Sequence, residues 1–364
     1  VAENGGDRSP PGLTRIAVLG RPLQVAVAVA VLAAALAGLD ALQPAQAVTE
    51  VLAEPASAEP TPSDWAFYRR VVARLQAGEP YYQALGDELR AGGFPTGSAF
   101  YWRPPLHLSM LAWMPHPLMG QALLVLAAIL TAALAWTSAL RTGGLGPATG
   151  TLVFLLGAFL PCFAGDFYLF SELWAGVLVT CSAYLLAFGR WRSAVAVGLF
   201  AALLRELAVL LLVVGLLDAI RRRHRVEAWS WAGALGIFAV ALGVHIASVD
   251  GGAGTGAWMS LGGPGFILAS ARMHTLLLLA PAWVTAWFVP LALLGLLAWP
   301  DDRVAVLKLT TVGFVLAFMV VGRPVNYYWG LIYAPLLATS IAWAPRAVRD
   351  LARALNPRPT PMGA

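Results

Sequence analysis

Asp64, Tyr68 and Arg69 open a long polar interval in an otherwise apolar chain, and their types suit chemistry. A carboxylate can take a proton from a hydroxyl, and an arginine fork matches the oxygens of a phosphate. The interval Ser63 to Pro105 holds five arginines, two glutamates and two aspartates between hydrophobic segments. Arg103 stands near its end, in the run Trp102-Arg103-Pro104-Pro105. Further polar residues stand at the ends of later apolar segments. These are Asp166, Tyr168 and Glu172; the pair Arg205-Glu206; Arg272 and His274; and Arg323, Asn326, Tyr327 and Tyr328.

The elements that position them are membrane helices. The chain of 364 residues is 59% apolar and only 12% charged, where soluble proteins carry about 25% charged residues. Its mean hydropathy is +0.72. Several apolar runs are long enough to cross a bilayer core of about 30 Å, so the chain reads as an all-α, polytopic membrane protein. Residues 1–22 are polar and Pro/Gly-rich and read as a disordered cytoplasmic tail. Residues 23–345 read as one transmembrane domain whose first extracytoplasmic loop is 44–117, with 44–62 irregular. Within that loop Asp64 begins an amphipathic helix with Trp65, Tyr68, Val72 and Leu75 at helical spacing. Gly78 ends it. Arg69, Arg70 and Arg74 flank it as headgroup contacts. Asp64, like Ser63 beside it, also has the type of an N-cap, and the two roles coexist. Pro104 and Pro105 start a short helix that cannot cross the bilayer.

The remaining spans are placed at 118–140, 148–164, 168–188, 194–220, 228–248, 275–299, 304–322 and 328–345. In the fourth of these, Arg205-Glu206 interrupts an apolar run. Charge in hydrocarbon costs about 2.5–3.5 kcal/mol per residue even on the insertion scale. Neighbours on a helix do not face each other, so the pair is not expected to neutralise itself. A hairpin with the pair at its tip solves both problems; a structural pair bonded to other spans is the plainer reading. With the hairpin there are about ten crossings. Arg141, Arg190–Arg192, Arg221–Arg225, Arg303–Lys308 and Arg346–Arg358 then share the side of the N-terminal tail. The positive-inside rule makes that side cytoplasmic, so both termini, including a tail at 346–364, are cytoplasmic. The 63–105 loop, Asp166–Glu172, the Gly-rich loop 249–274 and Arg323–Tyr327 face outward from the plasma membrane.

Several chemistries find no support. There is no Gly-rich phosphate loop, no Gly-x-Ser-x-Gly elbow and no His-Glu-x-x-His. The five histidines are scattered without metal-ligand spacing, and nothing calls for a metal at Asp64, Asp166 and Glu172. No cofactor is expected. The net charge of +5 sits at loop ends and is no nucleic-acid footprint. Cys162 and Cys181 lie inside apolar runs and read as small buried hydrophobes. An outward-facing set of one base and several arginines suits a phosphate substrate carried by the membrane lipid itself.

The pattern Asp64-x-x-x-Tyr68, Ala77-Gly78-Glu79-Pro80-Tyr81, Phe100-Tyr101-x-Arg103-Pro104-Pro105 resembles the GT-C glycosyltransferases. The likeness is to the branch using polyprenyl-phosphate sugars, such as the actinobacterial mannosyltransferases of family 87. Glu172, Arg205-Glu206 and Arg323-x-x-Asn326-Tyr327-Tyr328-Trp329 agree with it in order, although a more compact set of spans, with no C-terminal soluble domain, is expected here. The resemblance implies a GT-C-like fold and an inverting transfer of a sugar, mannose favoured, to a hydroxyl of a lipid, glycan or envelope acceptor. Asp64 is then the catalytic base. Tyr68, Arg69, Arg103, Arg205, Glu206, Arg323, Asn326 and Tyr327 are expected around the donor, with Asp166, Glu172, Arg272 and His274 as further candidates. Loops 79–99 and 249–273 are expected to cover the site. Two other readings stay open. A transporter or flippase predicts internal repeats and mid-membrane charge; a non-catalytic envelope-assembly protein leaves the convergence of carboxylates and arginines unexplained.

Overall fold

The computed structural model describes residue 16 and residues 19–53, 64–249 and 260–355, with backbone alone at 41–53 and 64. The described residues contain helices and no strand. The expectations for 1–22, 54–62 and 356–364 fall largely outside them.

α1 (Arg21–Ala53) is the first apolar helix. It runs past the expected end at residue 42, so 44–53 is helical rather than irregular. α2 (Asp64–Gln76) ends where Gly78 turns with φ of 90°, a conformation glycine enters without steric cost. α3 (Tyr81–Ala91) follows Pro80, and α4 (Pro105–Ala112) is the short helix with proline in its first turn. Then come α5 (Pro117–Gly143) and α6 (Leu145–Phe159), α7 (Ser171–Ala187) and α8 (Trp191–Leu204), and α9 (Val209–Arg221) and α10 (Arg225–Ala247). α11 (Gly263–Ala271), α12 (Thr275–Leu279), α13 (Ala282–Ala298), α14 (Ala305–Val321), α15 (Gly330–Ile341) and α16 (Ala344–Leu355) complete the chain.

Among the described residues, five helices are long and apolar enough to cross a membrane, or six if Pro324–Ile341 and Ala344–Leu355, bent by 51°, form one span. α7, α8 and α13 are apolar but shorter. At 1.5 Å per residue they fall short of the hydrocarbon thickness alone. The long helices carry exposed apolar faces, among them Leu23, Val29 and Leu36 on α1, Leu126 and Ile129 on α5, and Val240 and Val244 on α10. So continuous an apolar belt belongs in lipid.

Three further sequence expectations are corrected. The single span at 275–299 is broken, because Pro281 lacks an amide donor and pushes Ala280 into extended geometry with φ of −84° and ψ of 155°. Residues 263–271, expected in a loose Gly-rich loop, form α11, and Phe266, Ile267 and Leu268 are buried. Residues 346–355, expected as tail, belong to an amphipathic helix from Ala344 that buries Ala344, Ala347 and Leu351 against α13 and α1.

α7 and α15 are the centre of the bundle. Every residue of α15 is buried, as are Ser171–Val177 at the start of α7. The two pack on each other, α7 also on α5 and α8, and α15 also on α6 and α13. Glycine makes the approach possible. A Cβ at Gly176 would overlap the Leu331 carbonyl oxygen, and one at Gly295 of α13 would overlap the Ser340 carbonyl oxygen. Small residues let apolar helices close on one another in the absence of a hydrophobic drive between them.

The 191–221 segment is a hairpin. A Cβ on Gly198 of α8 would lie 3.2 Å from Leu211 Cδ2 of α9. In one straight helix those positions would be about 20 Å apart. The turn falls at Arg205, whose backbone is extended with φ of −147° and ψ of 113°.

Gly176→Ala is expected to lower stability by about 3 kcal/mol through overpacking. Gly236→Ala in α10, where an added Cβ meets nothing within 4 Å, should gain up to about 1 kcal/mol from helix propensity. Thermal unfolding of the two variants in detergent, followed by size-exclusion chromatography, checks the contrast.

Candidate functional site

Four charged side chains from three separate elements meet at one end of the bundle. Glu172 comes from the first turn of α7, Arg205 and Glu206 from the hairpin turn, and Arg103 from the segment before α4. Glu172 is fully buried, Arg205 is 1% exposed and Glu206 8%. Glu172 Oε1 lies 2.8 Å from Arg205 Nε and 3.4 Å from Arg103 Nη2. Arg205 also pairs with Glu206 through Nη1. The expectation that Arg205 and Glu206 would not meet rested on helical geometry. It fails because the chain leaves the helix at Arg205.

The charges balance within this set, two guanidinium groups against two carboxylates. Several donors and acceptors are poorly satisfied for so buried a place. Arg205 Nε is close to Glu172 Oε1 without hydrogen-bond alignment, and Glu206 Oε2 has no partner among the described residues. Arg205 spends its remaining face on the Trp329 ring, whose centroid is 6.0 Å from Cζ.

Arg103 is the member nearest solvent, with its side chain 13% exposed. Its Nε donates to Tyr68 Oη at 2.9 Å, and its Nη2 donates to Tyr328 Oη at 3.1 Å. Tyr81 Oη donates to the Arg103 carbonyl at 2.7 Å and so fixes the backbone under it. Burial works against the Arg103 charge, but Glu172 and then Tyr68 and Tyr328 hold the guanidinium firmly protonated. Burial likewise pushes the Tyr68 phenol well up, so it stays neutral and acts as a hydrogen-bonding group. Trp65, Phe170 and Tyr328 form an aromatic wall beside it, with Trp65 and Phe170 centroids 4.6 Å apart. Arg323 reaches the same lip, its Nη1 donating to Tyr101 Oη at 3.4 Å. Tyr328 Oη donates to Asn326 Oδ1 at 3.4 Å.

α2 presents this wall through Phe67, Tyr68 and Val71, all buried. Trp65, Val72 and Leu75, expected on the apolar stripe, are only half-buried against it. Arg70 and Arg74, expected at headgroups, pair with carboxylates of the protein. Arg70 Nε lies 2.6 Å from Glu88 Oε2, and Arg74 Nη2 lies 2.6 Å from Glu79 Oε2 and 2.8 Å from Asp87 Oδ2. These pairs strap α3 to α2, because α3 offers an acidic face. The expected cover at 79–99 is therefore largely a braced helix.

The expected site residues thus divide. Tyr68, Arg103, Glu172, Arg205 and Glu206 come together, with Arg323 and Asn326 at the edge and Tyr327 6.1 Å from Tyr328, ring to ring. Arg69 and Asp166 form an ion pair away from them, with Trp65 and Phe167 at a shallow cleft of ≈ 340 Å³. Arg272 instead donates to the Leu278 carbonyl at 3.2 Å, and buried His274 reaches the Phe154 carbonyl at 2.8 Å. Neither belongs to the cluster. Asp64 is the first residue of α2, four residues before Tyr68, and its side chain lies outside the described residues.

Sequence reasoning underrated Glu172, which is the hub, and missed Trp329 and His107. The signal was available for Glu172: two arginines and one glutamate in apolar context require a further carboxylate. His107 packs 6.1 Å from the Trp174 ring with Nε2 unpartnered among the described residues. Burial pushes its imidazole down to about 4.

Two measurements test this geometry. Glu172→Leu is expected to cost about 3–5 kcal/mol by stranding buried charge, and E172L/R205L should cost less than the two single losses together by at least about 1 kcal/mol. The His107 imidazole titrates lower in the fold than its ordinary value near 6.5, so the unfolded chain takes up the proton first. Its contribution is complete above about pH 6.5 and is lost as pH falls toward 4, by up to about 3 kcal/mol. The thermal unfolding of His107→Leu should accordingly depend less on pH across that window than that of the wild type.

No family model matches the chain, and no curated protein and no solved structure matches it.

Proposed function

We propose that the protein is a membrane glycosyltransferase that moves a sugar from a polyprenyl phosphate to a hydroxyl of a lipid, glycan or envelope acceptor. The observation that carries this reading is Arg103, held at one end of an apolar bundle by two tyrosine hydroxyls and partly open to solvent. A guanidinium so placed suits a phosphate whose lipid lies in the surrounding bilayer. Its Nη1 has no partner among the described residues.

In the proposed step the acceptor oxygen bonds to the anomeric carbon from the face opposite the phosphate. The bond from that carbon to the phosphate oxygen breaks, and polyprenyl phosphate leaves with the electron pair. The acceptor proton passes to Asp64, and the configuration inverts. The four-residue spacing from Asp64 to Tyr68 puts the two positions on one side of α2, and Tyr68 touches Arg103. Arg103, with Arg323 beside it, stabilises the charge growing on the leaving phosphate. Arg205 is too buried for that part, and its charge is already met by Glu172 and Glu206. It shapes the site by holding Glu172 and Glu206. Mannose is the favoured sugar, on the resemblance alone.

One observation favours a second reading. Four charges buried between apolar helices are also what a transporter uses to couple substrate movement to ions.

The test is transfer of label from a panel of polyprenyl-phosphate sugars into membrane lipids by wild type and variants of equal expression. Asp64→Asn is expected to lose about 10²–10⁴-fold in rate while still binding donor, and Arg103→Gln about 10²-fold. Arg69→Gln should transfer normally. Equal transfer by wild type and Asp64→Asn removes Asp64 as base. No transfer from any donor, with lipid or ion movement in proteoliposomes, replaces the enzyme by the transporter.

A further inference from the structure

At the end of the bundle opposite the Arg103 cluster, the turn between α9 and α10 reads Arg221-Arg222-Arg223-His224-Arg225. Two of these arginines are spent internally. Arg221 Nη2 lies 2.8 Å from Asp218 Oδ1. Arg222 reaches Asp218 Oδ2 at 2.7 Å and Glu227 Oε1 at 2.6 Å. Asp218 and Glu227 are buried, so their charge is consumed inside the fold. His224 caps α10 by accepting from the Glu227 amide at 3.3 Å. Arg223 holds φ of 58°, a left-handed conformation that a side chain seldom adopts without support.

What it displays is unpaired cation. Arg223 and Arg225 are exposed and have no carboxylate partner among the described residues. Arg192 has none either; its Cζ lies 5.2 Å from the Trp191 ring, and that ring lies 6.0 Å from His224. Arg223, His224 and Arg225 line a cleft of ≈ 300 Å³ with Ile220 and Trp229. Trp229 is 77% exposed and Ile220 56%. α10 is one of the helices fit to cross a membrane, and Trp229 sits in its second turn. Tryptophan at that depth lies at the headgroup level of a bilayer.

We propose that this cleft is a binding site for an anionic phospholipid of the adjoining leaflet. The phosphate sits between Arg223 and Arg225, and the acyl chains lie along Trp229 and Ile220. The carboxylates are already neutralised by Arg221 and Arg222, so nothing at the cleft repels an anion. A basic pocket flanked by exposed apolar side chains at the membrane surface selects charge and chain together. A soluble phosphate uses only the first of these. The site is remote from the Arg103 cluster and does not depend on the function proposed there.

The test uses the full-length protein in mixed micelles holding equal amounts of phosphatidylglycerol and phosphatidylcholine, with retained lipids counted by native mass spectrometry. Wild type should retain phosphatidylglycerol in preference. The double variant R223N/R225Q, which keeps a residue tolerant of left-handed backbone, should lose about ten-fold or more of that preference. Trp229→Ala should lose several-fold with all charges in place. R349Q/R353Q, at exposed arginines of α16, should bind as wild type. Excess inorganic phosphate should leave retention unchanged. Equal retention by R223N/R225Q overturns the proposal, as does an equal loss in R349Q/R353Q, which marks a diffuse charge effect. Full displacement by inorganic phosphate makes the cleft a free-anion site instead.

Discussion

The buried carboxylate of Glu172 is the constraint on which this end of the molecule depends. A glutamate at the head of an apolar helix is tolerable only if cation reaches it. Two arginines do so, from segments about thirty and seventy residues away on either side. They tie the hairpin turn at Arg205 and the Arg103 segment to the head of α7. Replacing such a set by apolar residues is often neutral or stabilising. Its retention in a lipid-bound protein is thus better read as placing side chains than as adding stability.

Close helix packing makes that placement possible. Gly176 and Gly295 bring α7 and α13 onto α15 at backbone distance. These contacts fall near the two ends of α15, at Leu331 and Ser340, and the first lies one turn of α7 from Glu172. The aromatic residues around Arg103 fill the wedge between α2 and the 324–329 turn. They keep the guanidinium oriented while leaving one edge open.

The two ends of the bundle treat charge differently. At the Arg103 end, guanidinium groups and carboxylates balance in a buried set, and specificity comes from a few oriented hydrogen bonds. At the other end, Asp218 and Glu227 are satisfied locally, and surplus arginine faces outward with tryptophan beside it. Water and lipid headgroups screen an exposed charge, so the second end tolerates surplus cation that the first could not.

The sequence by itself determined the class of the protein. Long apolar runs, Gly and Pro at the breaks, and the spacing in α2 specify a helical membrane protein, because these signals are local. The helix ends at Gly78 and the short helix after Pro104 were legible for the same reason. So was the hairpin, because two adjacent charges in a hydrocarbon run have few solutions. Only the tertiary structure decided who partners whom. Glu172 was one further candidate among several until two arginines arrived from distant segments. Arg70 and Arg74 looked like headgroup contacts until α3 presented its acidic face. Asp166 and His274 had the right residue types, yet packing directed them elsewhere. Ion pairing depends on atoms within about 4 Å, and sequence separation carries no information about that distance.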